Sequence, residues 1–390
     1  MKKKKIKLDL LTSITFILVL SFYISSSLLD LPIIIPTFGK YLFLTVVLLI
    51  SVLLIQRKSF SSNEIKIFLP FVLFITVYFI NLKSLSDTDG IMIILNQLFY
   101  LITIYMVCSV SWTKFQIKSL SHVYYIALPI LLIMTFLLPR VLNTNTIGSF
   151  AFYLSFFPLL YLIGYSINLT RSRIIFIFAL SSLVILVSDT RSILLSAAVG
   201  IFTFIAWKFI SKRKVFFHLY FFAVIAVNYF IVVVYPNMYK WDNFYKLNEI
   251  SINLTGKPLM TGRNTIWAQL VDVISLKPWL GYGASVLPED FLSISFSAHN
   301  LYLQTALQTG IIGVVLLAIF FFFIWKSFWE NRHDSKIILV ASFFIGIIMH
   351  QSFEVTLTQN YFSIGLLQWI IIAMGLHYSL NKNSKKSELN

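Results

Sequence analysis

Three basic or titratable side chains fall at the starts of predicted helices: Arg191 in Ser188-Asp-Thr-Arg191-Ser192, Arg263 in Thr261-Gly-Arg263-Asn264, and His299 in Ala298-His299-Asn300. A helix N-terminus already carries partial positive charge, so an arginine there is mildly repelled unless an anion is shared between them. Guanidinium and free backbone N–H groups together make a site for phosphate or diphosphate. A neutral imidazole beside such a site accepts a proton from a hydroxyl group. Two arginines to hold a departing diphosphate and a histidine to activate the attacking hydroxyl are the parts of a transfer reaction. Singly, each residue also has an ordinary reading. Arg191 pairs with Asp189 or snorkels to an interface, Arg263 is a solvated loop charge, and His299 is an interfacial side chain.

Other ionisable groups carry weaker signals. Asp87 and Asp89 are spaced like a pair of carboxylates that holds a divalent cation, but in a turn ending at Gly90 such residues are ordinary, and Glu289 and Asp290 say less still. No metal and no cofactor is expected. His350 and Glu354 are four apart, which puts them on one helical face at the end of an apolar run. An ionisable pair in that place serves acceptor binding or steadies the site, or is a mutually satisfied interface pair. His122, His218, His333 and His377 read as peripheral. The single Cys108 falls inside a predicted span, so no disulfide framework exists within the chain.

These side chains need a scaffold, and composition names its solvent. The chain is 58% hydrophobic and only 12% charged, with a mean hydropathy of +0.85, which excludes a water-soluble fold. A helix crosses about 30 Å of hydrocarbon with about 20 apolar residues. Such runs occur near residues 10–29, 38–55, 66–82, 91–110, 121–138, 147–167, 172–188, 192–210, 215–235, 300–325, 337–353 and 361–380. The reading is an all-α integral membrane protein of about twelve transmembrane helices, forming one polytopic domain over residues 1–390. The first run follows a lysine cluster like a signal peptide, but it lacks a small-x-small cleavage site before Asp30 and is read as a retained helix.

Sorting every charge by side orients the bundle. With the N-terminus in the cytoplasm, 22 of the 31 basic residues fall on the cytoplasmic side, and ten of the fifteen acidic ones fall outside. That segregation is the positive-inside pattern with both termini cytoplasmic. The net charge of +16 then faces anionic lipid headgroups, so no nucleic acid partner is expected. Most connections are short, and one is not. Residues 236–299, between the ninth and tenth spans, form a large external loop in which residues 264–277 are predicted as an amphipathic helix lying on the membrane surface, stopped at Pro278. Trp279-Leu-Gly281-Tyr-Gly283 follows, with two glycines able to turn the chain sharply.

The order of these stretches resembles the O-antigen ligase and O-antigen polymerase family of bacterial membrane glycosyltransferases. The resemblance rests on Ser188 to Ser192, on Thr261-Gly-Arg263-Asn-Thr-Ile-Trp267, on Pro278 to Gly283, and on His299-Asn300-Leu-Tyr302-Leu-Gln304 leading to Thr309-Gly-Ile-Ile-Gly313. It covers mainly residues 185–325, and departs from the family where Asp189 and Thr190 replace the usual small residues. The resemblance implies metal-independent, inverting transfer of a glycan from a polyprenyl diphosphate carrier, on the outer face of the bacterial cytoplasmic membrane. Arg191 and Arg263 would hold the diphosphate and His299 would activate the acceptor, with Asn300, Tyr302, His350 and Glu354 as further substrate-binding residues. The expected partners are the lipid-linked oligosaccharide, membrane lipid, a flippase and a chain-length regulator. A repeat-unit polymerase of O-antigen, capsule or exopolysaccharide leads. A ligase that moves the glycan to a different acceptor uses the same donor chemistry, and a transporter of a lipid-linked or anionic substrate is the alternative from another class.

Overall fold

The computed structural model describes residues 34–55, 61–110, 112–137, 144–166, 171–188, 190–256, 258–260, 263–293 and 297–387. The predicted first span, 10–29, lies outside them. The described residues fold into α1 (Ile34–Ile55), α2 (Ser62–Ile80), α3 (Thr88–Ser109), α4 (Lys114–Leu137), α5 (Thr144–Tyr165), α6 (Arg171–Val187), α7 (Arg191–Ile210), α8 (Lys214–Val233), α9 (Phe244–Thr255), α10 (Arg263–Leu276), α11 (Leu301–Phe328), α12 (Ser335–His350) and α13 (Phe362–Ser387). Eight of them, α2 to α5, α7, α8, α11 and α13, are long and apolar enough to cross a membrane. The remaining predicted spans among the described residues are also helices: α1, the 17-residue α6 and the 16-residue α12.

Burial sorts the helices by depth. In α5 every residue from 146 to 160 is buried, as a helix apolar on all sides must be when it sits at the centre of a bundle. By contrast, α7 and α8 leave most of their surface open to lipid. Small residues then set how closely α7 approaches α12. A Cβ on Gly346 would come within 2.9 Å of the Ser196 carbonyl oxygen, and one on Gly200 within 3.1 Å of the Ser342 carbonyl oxygen. Backbone-to-backbone packing of this kind is how helices associate where lipid offers no hydrophobic drive. It lays the start of α7, with Arg191, beside the end of α12, with His350.

The long loop is folded. It carries α9, which the sequence reading did not predict, closed by the left-handed Gly256 (φ 70°). The helix expected at 264–277 is present as α10, but its apolar face meets protein instead of the membrane surface. Trp267 and Leu270 are fully buried in a small core with Val286, Ala298, Leu303 and Leu307.

The predicted continuous span 300–325 is interrupted. Gly310 (φ 66°, ψ −168°) breaks the helical path inside α11, and the Pro278–Gly283 turn enters the break. Ile311 N–H donates to the Pro278 carbonyl at 2.8 Å, while Tyr282 N–H donates to Leu307 O at 2.9 Å and Gly283 N–H to Gln308 O at 3.2 Å. The Asn81 amide donates to Leu280 O and, at 3.2 Å, to Gln308 O, tying the end of α2 to the same point. Backbone groups freed at the break are thus paired by the loop, as burial away from water requires.

A Cβ on Gly310 would lie 2.1 Å from the Trp279 carbonyl oxygen, whereas one on Gly256 meets nothing within 4 Å. Both glycines have φ near +70°, so alanine at either carries about 1–2 kcal/mol of left-handed strain. Gly310→Ala adds a clash with backbone and is expected to lower the unfolding temperature in detergent well beyond Gly256→Ala. Equal shifts for the two variants would contradict the wedge described here.

Candidate active site

Arg191, Arg263, His299, His350 and Glu354 line one cavity of about 570 Å³, a size typical of small-molecule sites. Each arrives from a different segment. Arg191 is the first residue of α7, whose N-cap Thr190 makes no side-chain cap bond. Gly148 of α5 allows this corner to sit close, since a Cβ there would come within 2.0 Å of the Thr190 hydroxyl. Among the described residues Arg191 forms no ion pair; its alternative partner Asp189 lies outside them. Arg263 is the first residue of α10. Tyr235, whose hydroxyl donates to Leu259 O at 3.1 Å, closes the cavity from the loop side together with Leu259.

His299 is held by what surrounds it. Trp267 Nε1 donates to Ala298 O at 2.7 Å on one side. On the other, Leu301 N–H donates to Gln351 O at 2.9 Å, and the Asn300 amide donates to Ser352 O at 2.8 Å. The start of α11 therefore docks on the end of α12, and unpaired helix-end donors meet unpaired helix-end acceptors. His299 itself has φ 45°, a left-handed conformation that costs a non-glycine residue about 1–3 kcal/mol and persists only where its surroundings impose it.

That docking sets Glu354 against His299. Glu354 Oε2 is 3.4 Å from His299 Nδ1, and Oε1 is 3.6 Å from an Arg263 guanidinium nitrogen. The expected His350–Glu354 pair on one helical face is corrected, because α12 ends at His350 and Glu354 lies in the turn that follows. That turn is stabilised by Gln351, whose Oε1 accepts from Leu357 N–H at 3.1 Å. A carboxylate at Nδ1 favours the tautomer that carries its proton there, which leaves the Nε2 lone pair of His299 free. Burial alone would raise the Glu354 carboxyl, but the hydrogen bond to His299 and the neighbouring His350, His299 and Arg263 together hold it below its ordinary value.

His350 is buried, and its ring is fixed from behind. The Tyr153 hydroxyl lies 2.8 Å and Gln368 Nε2 3.3 Å from Nδ1. An amide N–H donates, so Nδ1 accepts and Nε2 carries the proton. Nε2 is buried without a hydrogen-bond partner among the described residues.

The structure places the other sequence-predicted residues elsewhere. Asn300 is fully buried and spent on capping: its Oδ1 accepts from Leu303 N–H at 3.0 Å while its amide holds Ser352. Tyr302 donates to Ile348 O at 3.0 Å. Neither lines the cavity, and both brace α11 against α12. Asp87 caps α3 through Gly90 N–H at 2.9 Å and accepts from the Ser285 hydroxyl at 2.9 Å, a structural link from that turn to the long loop. His122, His218, His333 and His377 are not among the residues lining the cavity. Missed from sequence were Tyr153 and Gln368, whose role exists only through tertiary contact, and Tyr361. This last tyrosine lines the cavity, is 41% exposed and has φ 52°. Its neighbour Asn360 donates to Ser297 Oγ at 3.0 Å, which puts Tyr361 on the His299 side.

The depressed Glu354 pKa has a signed consequence. A carboxyl whose folded pKa lies below the unfolded value, ordinarily 4.5, contributes stability above that value and loses it as pH falls through the folded one. Wild type is expected to unfold at a higher temperature than Glu354→Gln at pH 7, with the gap closing as pH drops below 4.5. A gap unchanged down to pH 3 would show that the ion pairs do not hold this carboxylate.

Comparison with known proteins finds a family similarity over the stretch that carries most of this geometry. No curated protein matches the chain. Residues 176–318 match the family model described as O-antigen ligase, a stretch that contains Arg191, Arg263, His299 and the Pro278–Gly283 wedge. The chain is a multi-pass membrane protein whose residues 176–318 are similar to the O-antigen ligase family.

Proposed function

We propose that the protein is a glycan polymerase of the bacterial cytoplasmic membrane, with about twelve spans, both termini cytoplasmic and the cavity facing outward. The observation that carries this reading is the convergence of Arg191, Arg263 and a His299–Glu354 pair on one cavity. The donor is a growing glycan on a polyprenyl diphosphate, and the acceptor is the terminal sugar of another lipid-linked repeat. His299 Nε2 takes the proton from an acceptor hydroxyl as that oxygen attacks the anomeric carbon. The bond from that carbon to the diphosphate oxygen breaks with inversion, and polyprenyl diphosphate leaves with the electron pair. Arg191, Arg263 and the N–H groups that open α7 and α10 stabilise the charge as it forms. Glu354 orients His299 and balances the imidazolium. His350, on the cavity lining, helps to shape the substrate site, and the exposed ring of Tyr361 provides a face for the acceptor sugar. No metal enters this scheme. The family description favours one second reading, a ligase that passes the glycan to a different acceptor.

The deciding experiment supplies purified protein with lipid diphosphate-linked repeat units, with and without chelator. Longer glycans that form equally with chelator support the polymerase. Product that needs a divalent cation, or none until a non-repeat acceptor is added, redirects the assignment to metal-dependent transfer or to the ligase.

His299→Ala is expected to slow extension by about 10²–10⁴-fold while insertion in the membrane is kept. Arg191→Lys is expected to lose about 10²-fold, because a point charge lacks the bidentate fork. Wild-type chain length in cells carrying only His299→Ala would end the catalytic assignment. Tyr361→Ala is expected to raise the acceptor KM more than it lowers kcat, and an effect on kcat alone would remove its platform role.

A further inference from the structure

A second cavity lies at the opposite end of α2, α8, α11 and α13 from the candidate active site. It has a volume of about 190 Å³, and Lys66, Lys214 and Lys326 line it, with one carboxylate, Glu330. Three helices each contribute one lysine. None of the three forms an ion pair with a carboxylate among the described residues, and the nearby Glu64 is committed to capping α2 with Ser61. Lys214 is also the first residue of the 20-residue α8, whose first turn contains no acidic residue and whose N-cap makes no side-chain cap bond. Three positive side chains and a bare helix start thus converge with a single carboxylate, Glu330, beside them, an excess of positive charge that favours an anion.

The frame around them is rigid. Phe217 of α8 stacks on Trp325 of α11 with centroids 4.3 Å apart, and Trp325 Nε1 donates to Phe217 O at 3.0 Å. The Asn331 amide donates to Ser379 O at 2.9 Å. The floor is apolar, with Ile67, Phe323 and Leu380, and Leu69, Val215 and Leu219 are exposed on the adjoining helix faces. Cations above an apolar floor that opens onto a lipid-facing surface match an amphiphile with an anionic head, more closely than they match a free ion. The orientation of charge along the chain puts this cavity at the cytoplasmic leaflet, where anionic lipids attract basic groups.

We propose that this groove binds the headgroup of an anionic phospholipid, its phosphate held by Lys66, Lys214 and Lys326 and its acyl chains lying along α2 and α8. This site is separate from the one assigned to glycan transfer and does not depend on that assignment.

The test uses the purified full-length protein. Bound lipid is counted by native mass spectrometry, and thermal unfolding is followed with phosphatidylglycerol, with phosphatidylcholine and with inorganic phosphate. The expected result is retention of phosphatidylglycerol and a raised unfolding temperature with that lipid alone. Each of Lys66→Gln, Lys214→Gln and Lys326→Gln should weaken retention about fivefold, and Lys118→Gln, on the same membrane face outside the groove, should not. Equal retention of phosphatidylcholine, undiminished binding in all three single variants, or protection by inorganic phosphate matching that of the lipid would overturn the proposal. The last of these would make the groove a soluble-anion site. The single variants decide the matter if a triple variant fails to fold.

Discussion

The site depends on one helix beginning where another ends. Every helix start carries unpaired N–H groups and every helix end unpaired carbonyls, and in lipid no water is available to satisfy them. Here the start of α11 and the end of α12 satisfy each other through Leu301 N–H to Gln351 O and the Asn300 amide to Ser352 O. The residues just outside those two bonds are His299 on one chain segment and Glu354 on the other. Their meeting at 3.4 Å is therefore a by-product of backbone saturation. This also explains how a left-handed histidine is tolerated: the backbone on both sides of His299 is bonded, through Ala298 O and through Asn300 and Leu301, so local strain has no cheap release.

The same requirement shapes the long loop. A membrane helix broken at Gly310 needs replacement partners for its freed carbonyls and N–H groups, and Pro278 to Gly283 supplies them from 30 residues upstream. The wedge works only because Gly281 and Gly310 each lack a Cβ at the point of closest approach. Loop and bundle are consequently one unit. Tyr282 extends the linkage, since its hydroxyl donates to Val273 O at 2.8 Å and so fastens α10, with Arg263 at its head, to the broken helix.

Much of this was legible from residue type, and the part that was not has a physical cause. Arg191 and Arg263 read correctly as helix-opening cations, because capping residues and apolar periodicity are local signals, and α10 begins within one residue of its expected start. Glu354 was placed on a helix with His350 because nothing in the sequence marks where α12 stops. Its end is dictated by Gln351 bonding forward to Leu357 and by the arrival of α11. The break at Gly310 was invisible for the same reason: a glycine in an apolar run costs a helix little by itself, and only the wedge shows that it is left-handed. Lys40, inside the run predicted at 38–55, lies within α1 and donates to Asn96 on α3 at 3.0 Å, a partner set by packing. Asn300 and Tyr302 lie beside the cavity without lining it, and their bonds to Ser352 O and Ile348 O brace α11 against α12, contacts that residue type alone does not reveal.

The charge arrangement explains why a carboxylate belongs in a cavity proposed for diphosphate. Two arginines and two helix starts that face one cavity repel one another unless an anion is shared between them. Glu354 shares itself between Arg263 and His299, so one cation is balanced before substrate arrives, while Arg191 is left without an ion pair among the described residues. A bound diphosphate would meet Arg191 first and then compete with Glu354 for Arg263. As Arg263 turned to the phosphate, the carboxylate would be left to His299 alone, and its hold on the Nδ1 proton would strengthen. Under the proposed donor chemistry, diphosphate binding and activation of the acceptor hydroxyl would be coupled through this single side chain.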